Sequence, residues 1–214
     1  MDNIKAFLFD LDGVLVSTEH NHFLAWQRCA HSLGIAFSAQ ENELLKGVSR
    51  ADSLKKILEL GGKTIPAAEF EVLLKSKNDF YLESIQDLNQ DNLLPGVLNL
   101  LKQAKEKGIH LGVGSSSKNA NFILDKLHIS HYFEVVIDGN GVQDPKPHPE
   151  VFLNGAKALG LDPAECMVFE DAASGIAAAK AGGFIAVGVG NPHIAAVADI
   201  YLNDLTEFRV EQYA

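Results

Sequence analysis

The sequence has few cysteines and no long hydrophobic run. Only Cys29 and Cys166 occur, far apart and without the spacing of metal ligands, so we expect two buried apolar side chains rather than a disulfide framework. The first apolar stretch stops at Asp10, too early for a signal peptide, and no later run is long enough to cross a bilayer. These absences predict a cytoplasmic protein without a membrane partner.

Basic residues are also scarce, with 18 Lys and Arg against 28 Asp and Glu, for a formal net charge of −10. Nucleic acids and anionic membranes favour basic surfaces, so neither is expected as the main partner. A small anionic substrate stays possible, because a few lysines and a metal ion can make one cleft positive. Hydrophobic residues make up 47% of the chain and charged residues 21%, which is typical of a globular protein. We expect it to be a monomer.

Short apolar runs alternate with segments of helical character outside residues 17–91. Strands are predicted at residues 4–9, 109–113, 135–137, 166–169 and 185–189, and helices at residues 96–107, 119–127, 149–159 and 174–181. This alternation favours right-handed crossovers and a parallel sheet covered on both faces. The predicted fold class is therefore α/β, with a doubly wound, Rossmann-like parallel sheet formed by residues 1–16 and 92–214.

Residues 17–91 have a different texture and predict an inserted, all-helical cap domain. Apolar residues recur at helical spacing over residues 22–33, 51–60 and 67–84, and glycines separate these segments. An insert directly after the first strand is expected above the carboxyl ends of the strands, where open α/β sheets bind ligands.

Two carboxylates, Asp10 and Asp12, follow the first predicted strand directly. Both can face one site there, and like charges so close require a cation or a shared proton. A plain turn is the alternative, since Asp and Gly favour turns.

A second acidic pair, Glu170 and Asp171, follows another predicted strand, and together the four acids suit Mg²⁺. The alternative is an acidic cap of the next helix, more plausible for Asp171 than for Glu170.

Two further clusters offer donors to phosphate. The turn of residues 114–119 contains Ser115, Ser116, Ser117, Lys118 and Asn119 ahead of a helix, which suits phosphate but also ordinary serine capping. Lys146 stands between prolines that restrict the backbone, as a site needs to place a positive charge on a transferring phosphoryl group. The following Pro149 is equally a common helix start.

The ordered set Asp10-Leu11-Asp12-Gly13, Ser115, Lys146-Pro147 and Glu170-Asp171 resembles the motifs of the haloacid dehalogenase superfamily over the whole chain. The resemblance implies that Asp10 attacks phosphorus, while Asp12 protonates the leaving oxygen and later deprotonates the acceptor. It implies that Lys146, Ser115 and the Ser116 amide hold the moving phosphoryl group. Mg²⁺ would bind Asp10, the Asp12 carbonyl and Asp171, with Glu170 as a ligand or just outside the ligands.

Within this superfamily the insert resembles the β-phosphoglucomutase branch, through residues 22–26, 45–50, 52–54 and 77–79. The resemblance implies that Arg50, Ser117, Lys118 and Asn119 grip the non-reacting phosphate of β-glucose 1,6-bisphosphate. Gly47, Val48 and Lys77 would contact the sugar, His22 would couple cap closure to Asp12, and Trp26 and Lys46 complete the predicted substrate-binding set. From the residues alone, Lys46 and Arg50 share a helix face if that turn is helical, and a surface pair or plain packing of His22 and Trp26 is the alternative.

The implied activity is a mutase that interconverts β-D-glucose 1-phosphate and glucose 6-phosphate, with Mg²⁺ and the bisphosphate as a priming intermediate. A Mg²⁺-dependent sugar- or hexitol-phosphate phosphatase is the alternative, with water as the acceptor. A third hypothesis, from outside the enzymes, is a catalytically silent binding protein that senses sugar phosphates.

Overall fold

The computed structural model describes residues 4–45 and 48–213. The chain divides into two compact units. The first contains Met1–Ser17 and Leu88–Ala214, and the second contains Thr18–Asp87. We call them the α/β unit and the helical unit.

The α/β unit is built on a parallel sheet of six strands in the order β3-β2-β1-β4-β5-β6, as seen in the described residues. The strands are β1 Ala6–Phe9, β2 His110–Gly114, β3 Val135–Ile137, β4 Cys166–Glu170, β5 Ile185–Val189 and β6 Ile200–Leu202. The predicted fold class is confirmed. Strand β6 was not predicted, because the other strands were recognised by their alternation with helical segments and no α-helix separates β5 from β6.

The helices follow the predicted segments closely. They are α1 Glu19–Ser32, α2 Ala39–Glu43, α3 Arg50–Leu60 and α4 Ala67–Ser84 in the helical unit, and α5 Val97–Glu106, α6 Ala120–Lys126, α7 Glu150–Leu159 and α8 Ala173–Ala181 in the α/β unit. Short 3₁₀ helices occur at Gln90–Asn92, Ser130–Tyr132, Pro163–Glu165, Pro192–Ile194, Leu205–Glu207 and Val210–Gln212. Helix α2 is a single short element that the sequence pattern did not indicate.

The two central strands are buried on both faces, which explains their uninterrupted apolar runs. On one face Leu8 packs with Phe152 of α7 and Ile176 of α8 in one apolar cluster. On the other face the rings of Phe9 and Phe169 stack with centroids 4.8 Å apart. A rigid double-sided core of this kind fixes the ends of β1 and β4 in register.

The helical unit has its own apolar core, formed mainly by one face of α1 and one face of α3. Trp26 and Cys29 of α1 pack in it with Leu54 and Ile57 of α3. The prediction that both cysteines are buried is confirmed. None of the helices in the described parts of the chain is long and apolar enough to span a bilayer.

Candidate active site

The candidate residues of the α/β unit follow neighbouring strands. Asp10 comes directly after β1, Ser115 after β2 and Asp171 after β4, and β1 lies between β2 and β4 in the sheet. Because the strands are parallel, all three residues lie at the carboxyl edge of the sheet, where α/β folds bind ligands. The loop between β3 and α7 supplies Lys146.

Lys146 joins two of the acids directly. Its Nζ lies 2.5 Å from Oδ1 of Asp10 and 2.6 Å from Oε1 of Glu170. All three residues are buried, with exposed fractions of 5%, 8% and 1%. Charge-assisted hydrogen bonds of this length are the strong ones, so they fix the three side chains in one arrangement.

The electrostatic balance of this cluster remains negative. Burial raises the pKa of Asp10 to about 7, with Lys146 opposing the rise and Glu170 and Asp12 adding to it. Burial also works against the charge on Lys146, but the Asp10 and Glu170 carboxylates outweigh it and raise the pKa of that lysine. The single positive charge of Lys146 therefore does not neutralise all of the carboxylates around it.

Glu170 is held from a second side by the start of α8. Its Oε2 accepts a hydrogen bond from the Ala172 N–H at 2.9 Å, and a Cβ on Gly175 would come within 1.8 Å of its Oε1. The glycine thus leaves the space that the carboxylate occupies. The alternative of an acidic helix cap is not borne out for either acid, because Ala172 is the N-cap residue of α8 and there is no side-chain capping hydrogen bond.

Asp171 lies against the loop that follows β1. A Cβ on Gly13, whose φ is +85°, would come within 2.1 Å of Oδ2 of Asp171, so the carboxylate packs on the glycine backbone. The Asp171 carbonyl accepts a hydrogen bond from Nδ2 of Asn191 at 2.8 Å. Asn191, after β5, was not predicted, because a lone asparagine before a proline is typical of any turn.

These acids fit a hard divalent cation. Asp10, Asp12 and Glu170 are close enough for the two other carboxylates to raise the pKa of Asp10, and Asp171 packs on the loop after Asp12. Carboxylate and carbonyl oxygens are the ligands that Mg²⁺ uses in proteins, and an excess of negative charge favours its binding. We therefore expect Asp10, Asp12 and Asp171 to hold such an ion, with Glu170 bound to Lys146 beside it.

The serine-rich turn after β2 is folded by its own hydroxyls. Oγ of Ser115 accepts a hydrogen bond from the Ser117 N–H at 3.1 Å, and Oγ of Ser117 accepts one from the Asn119 N–H at 3.2 Å. The alternative of ordinary serine capping is not borne out, because the N-cap of α6 is Asn119 and makes no side-chain capping hydrogen bond. The turn bonds are compatible with phosphate binding, since a hydroxyl that accepts one bond still has its own proton to donate.

The neighbouring residues of this turn are tied to the loop after β3. The Lys118 carbonyl accepts a hydrogen bond from Nδ2 of Asn140 at 3.4 Å, and a Cβ on Gly139 would come within 2.5 Å of the Ser116 carbonyl. The backbone at Gly139 therefore packs directly against the serine-rich turn and helps to fix its position. The side chain of Lys118 is exposed, which leaves it accessible to a ligand.

In the helical unit, three predicted side chains form one cluster with a tyrosine. Nζ of Lys77 lies 2.8 Å from Nδ1 of His22, 4.6 Å from the Trp26 ring centroid and 4.8 Å from that of Tyr81. The ring of His22 stacks on Tyr81 at 4.0 Å. Tyr81 was missed by sequence reasoning, because an aromatic residue at helical spacing is typical of any core.

This cluster has a positive potential. Burial lowers the pKa of His22 well below its usual 6.5, and Lys77 and Arg50 lower it further. An ammonium group has no acceptor, so Nδ1 of His22 must accept the hydrogen bond from Lys77 as a neutral ring. A neutral imidazole beside two cations leaves a net positive charge here, which is the kind of environment that suits an anion.

Arg50 is the first residue of α3, after the N-cap Ser49. The condition under which Lys46 and Arg50 would share a helix face is not met, because α3 begins only at Arg50 and Ser49 has extended backbone angles. Val48 is half-buried just before this start. The predicted residues Lys46 and Gly47 lie outside the described residues.

Comparison with known proteins gives one consistent result. The haloacid dehalogenase-like hydrolase model matches residues 4–183. The chain is 40% identical to "Beta-phosphoglucomutase" of Bacillus subtilis over 97% of this chain and 93% of that protein. It is 32% identical to "Fructose-1-phosphate phosphatase" of Escherichia coli over 88% of this chain and 97% of that one.

Among solved structures, a β-phosphoglucomutase from Clostridium difficile matches with a TM-score of 0.95 and 38% identity, covering 98% of this chain and 95% of that one. Fold, motifs and relatives therefore agree with the resemblance found in the sequence. The chain belongs to the haloacid dehalogenase-like hydrolase family.

Proposed function

We propose that this protein is a Mg²⁺-dependent phosphoryl-transfer enzyme in which Asp10 is transiently phosphorylated, and that its activity is that of a β-phosphoglucomutase. The observation that carries the proposal is the buried contact of Asp10 with Lys146, 136 positions apart in sequence, at the carboxyl edge of the sheet. A carboxylate held there by a lysine is oriented for attack, and the lysine offers positive charge to the transferred group.

Each half-reaction uses residues of the α/β unit in fixed roles. An Asp10 oxygen attacks phosphorus and the bond from phosphorus to the sugar oxygen breaks, while Asp12 gives that oxygen a proton. In the reverse half-reaction Asp12 takes the proton from the acceptor hydroxyl, which attacks the phosphoaspartate. Lys146 and Ser115 hold the non-bridging oxygens. Mg²⁺, when bound, supplies further charge neutralisation to the same oxygens.

The mutase cycle then consists of two such transfers. Phosphorylated Asp10 gives its phosphoryl group to the 6-hydroxyl of β-D-glucose 1-phosphate, which forms β-glucose 1,6-bisphosphate. The bisphosphate returns its 1-phosphoryl group to Asp10 and leaves glucose 6-phosphate. This cycle needs a second anion-binding group for the phosphate that does not react, whereas hydrolysis of a monophosphate does not.

Two observations favour the mutase over the phosphatase. The helical unit carries Arg50 and Lys77 beside a neutral His22, which suits a second phosphate and a sugar. The relative with 40% identity carries the name β-phosphoglucomutase. The phosphatase stays the second candidate, because a fructose-1-phosphate phosphatase is 32% identical.

We further propose that residues 17–91 act as the substrate-specificity domain and that the protein is a cytoplasmic monomer. The low cysteine content supports a reducing compartment. Size-exclusion chromatography with light scattering measures the mass directly, and a value near 23.2 kDa is expected.

Phosphorus NMR tests the proposed activity. The protein is incubated with Mg²⁺, β-glucose 1-phosphate and a trace of β-glucose 1,6-bisphosphate. We expect the glucose 6-phosphate resonance to grow while inorganic phosphate stays low. Release of inorganic phosphate as the main product would establish the phosphatase instead, and ligand binding without turnover would indicate a sensor.

A further inference from the structure

The loop that carries Lys146 is poor in backbone donors. Pro145, Pro147 and Pro149 have no N–H group, so this segment makes fewer backbone hydrogen bonds than an ordinary loop. The His148 N–H donates to the Pro145 carbonyl at 3.0 Å. A loop of this composition needs side chains to fix it.

Glu150, the first residue of α7, binds the start of this loop. Its Oε2 accepts hydrogen bonds from the Asp144 N–H at 2.8 Å and the Gln143 N–H at 3.1 Å, and its Oε1 lies 3.1 Å from the Gln143 nitrogen. Two hydrogen bonds lower the pKa of Glu150, the larger effect coming from the Asp144 N–H and the smaller from the Gln143 N–H. The carboxylate therefore stays charged and keeps its two partners.

The same helical turn also supports the end of the lysine side chain. Nζ of Lys146 lies 4.7 Å from the ring centroid of Phe152, and that ring is fully buried. A rigid aromatic face beneath an ammonium group stabilises it and limits its movement. The first turn of α7 thus contacts the lysine through Phe152 and the beginning of its loop through Glu150.

We propose that Glu150 is a positioning residue, which fixes the 143–149 loop so that the Lys146 ammonium group stays in contact with Asp10 and Glu170. Loss of the carboxylate frees two backbone N–H groups, and the loop then shifts relative to α7. A displacement of about 1 Å at a reacting group is enough to reduce a rate by about 100-fold. The effect on turnover rests on the proposed function, whereas the effect on the position of Lys146 does not.

Glu207 provides a matched control. Its Oε2 accepts a hydrogen bond from the Asn203 N–H at 3.0 Å and its Oε1 accepts one from the Asn203 side chain at 2.8 Å. It therefore ties an exposed loop in much the same way as Glu150 does. That loop carries none of the candidate site residues. Removing the Glu207 carboxylate therefore reports only the general cost of freeing a loop.

The experiment compares Glu150→Ala, Glu150→Gln and Glu207→Ala in the full-length protein. Steady-state kinetics give kcat and KM, and proton–nitrogen NMR follows the ammonium signal of Lys146, identified by its loss in Lys146→Arg. We expect Glu150→Ala to lower kcat by about 10- to 100-fold with a much smaller change in KM, and to shift or broaden the ammonium signal. Glu150→Gln keeps one carbonyl acceptor, so its values should lie between those of wild type and Glu150→Ala.

The proposal is overturned if the Glu150 variants keep the kcat of Glu207→Ala and an unchanged ammonium signal. If Glu150→Ala does not fold, Glu150→Gln decides the question by the same two readouts. A wild-type protein without phosphoryl-transfer activity would refute the proposed function, and the ammonium signal would still decide the role of Glu150.

Discussion

The α/β unit and the helical unit each bury a lysine, with exposed fractions of 5% for Lys146 and 4% for Lys77, but the surroundings of the two differ. Lys146 binds two carboxylates at 2.5 and 2.6 Å. Lys77 binds a histidine nitrogen at 2.8 Å and lies over two aromatic rings. One lysine lies in a cluster with excess negative charge, and the other adds to a positive potential.

This difference separates two tasks within one chain. In the α/β unit, several acids around one lysine suit a metal ion and a covalent phosphoryl transfer. In the helical unit, cations beside a neutral imidazole suit recognition of an anion that does not react. If this division is correct, changes in the first cluster abolish turnover of every substrate, whereas changes in the second alter the choice of substrate.

The largest effect is expected for Asp10→Asn. The amide is a poor nucleophile, so we expect turnover of both sugar phosphates and small aryl phosphates to fall by about 10⁴-fold or more. Steady-state assays with the two substrate classes measure it. Substantial turnover of either class by this variant would remove Asp10 from its proposed role.

Lys146→Ala should reduce turnover of both substrate classes equally. The variant removes the positive charge beside Asp10, and we expect a loss on the order of 3 kcal/mol of transition-state stabilisation. Lys180→Ala is the control, because Lys180 is half-exposed and pairs with Asp199 at 2.9 Å. A near-normal rate for Lys146→Ala, or an equal loss for the control, would contradict the assignment.

Arg50→Ala should distinguish the substrates. We expect use of the bisphosphate to weaken by about 10-fold or more, as for loss of a charged hydrogen bond of about 1.5–3 kcal/mol, while hydrolysis of a small aryl phosphate changes little. Arg28→Ala is the matched control from the same unit, since Arg28 packs on the Phe80 ring at 4.6 Å. Equal losses for both substrates in Arg50→Ala would remove the case for a second phosphate in the helical unit.

The smallest effect concerns the neutral His22. Its pKa in the folded protein is lowered below the unfolded value of 6.5, so below that pH the unfolded chain binds a proton that the folded protein does not. The wild type should therefore lose stability relative to His22→Gln as the pH falls from about 7 to about 5, by about 1.4 kcal/mol for each unit of pKa difference.

Urea unfolding of wild type and His22→Gln at several pH values measures this difference. His20→Gln, which removes an exposed imidazole from the same helix, controls for the loss of a histidine. A wild type that gains stability over His22→Gln on acidification would show that His22 is protonated in the folded protein.

The sequence predicted the sheet because the central strands are short, apolar and bounded by acids or glycines. It could not give strand β6, which follows β5 without an intervening α-helix, or helix α2, which has only five residues. Start positions of helices were also predicted only approximately: α3 was expected from residue 51 and begins at Arg50, after the N-cap Ser49.

Residues of the candidate site were predictable where a motif marks them, and the contacts between them were not. The approach of Lys146 to Asp10 joins positions 136 residues apart, which no local pattern encodes. Glu150 and Asn191 gave no signal, because an acid in the first turn of a helix and an asparagine in a turn are common everywhere. Their importance follows only from the backbone groups that they bind in the folded chain.

The central claim is that Asp10 carries the phosphoryl group, and chemical trapping tests it most directly. The protein is mixed with Mg²⁺ and β-glucose 1,6-bisphosphate, quenched, and treated with borohydride, which reduces an aspartyl phosphate to homoserine. Peptide mass spectrometry then identifies the reduced position. We predict homoserine at residue 10 in the wild type and none in Asp10→Asn; homoserine at another residue, or none under turnover conditions, would contradict the account.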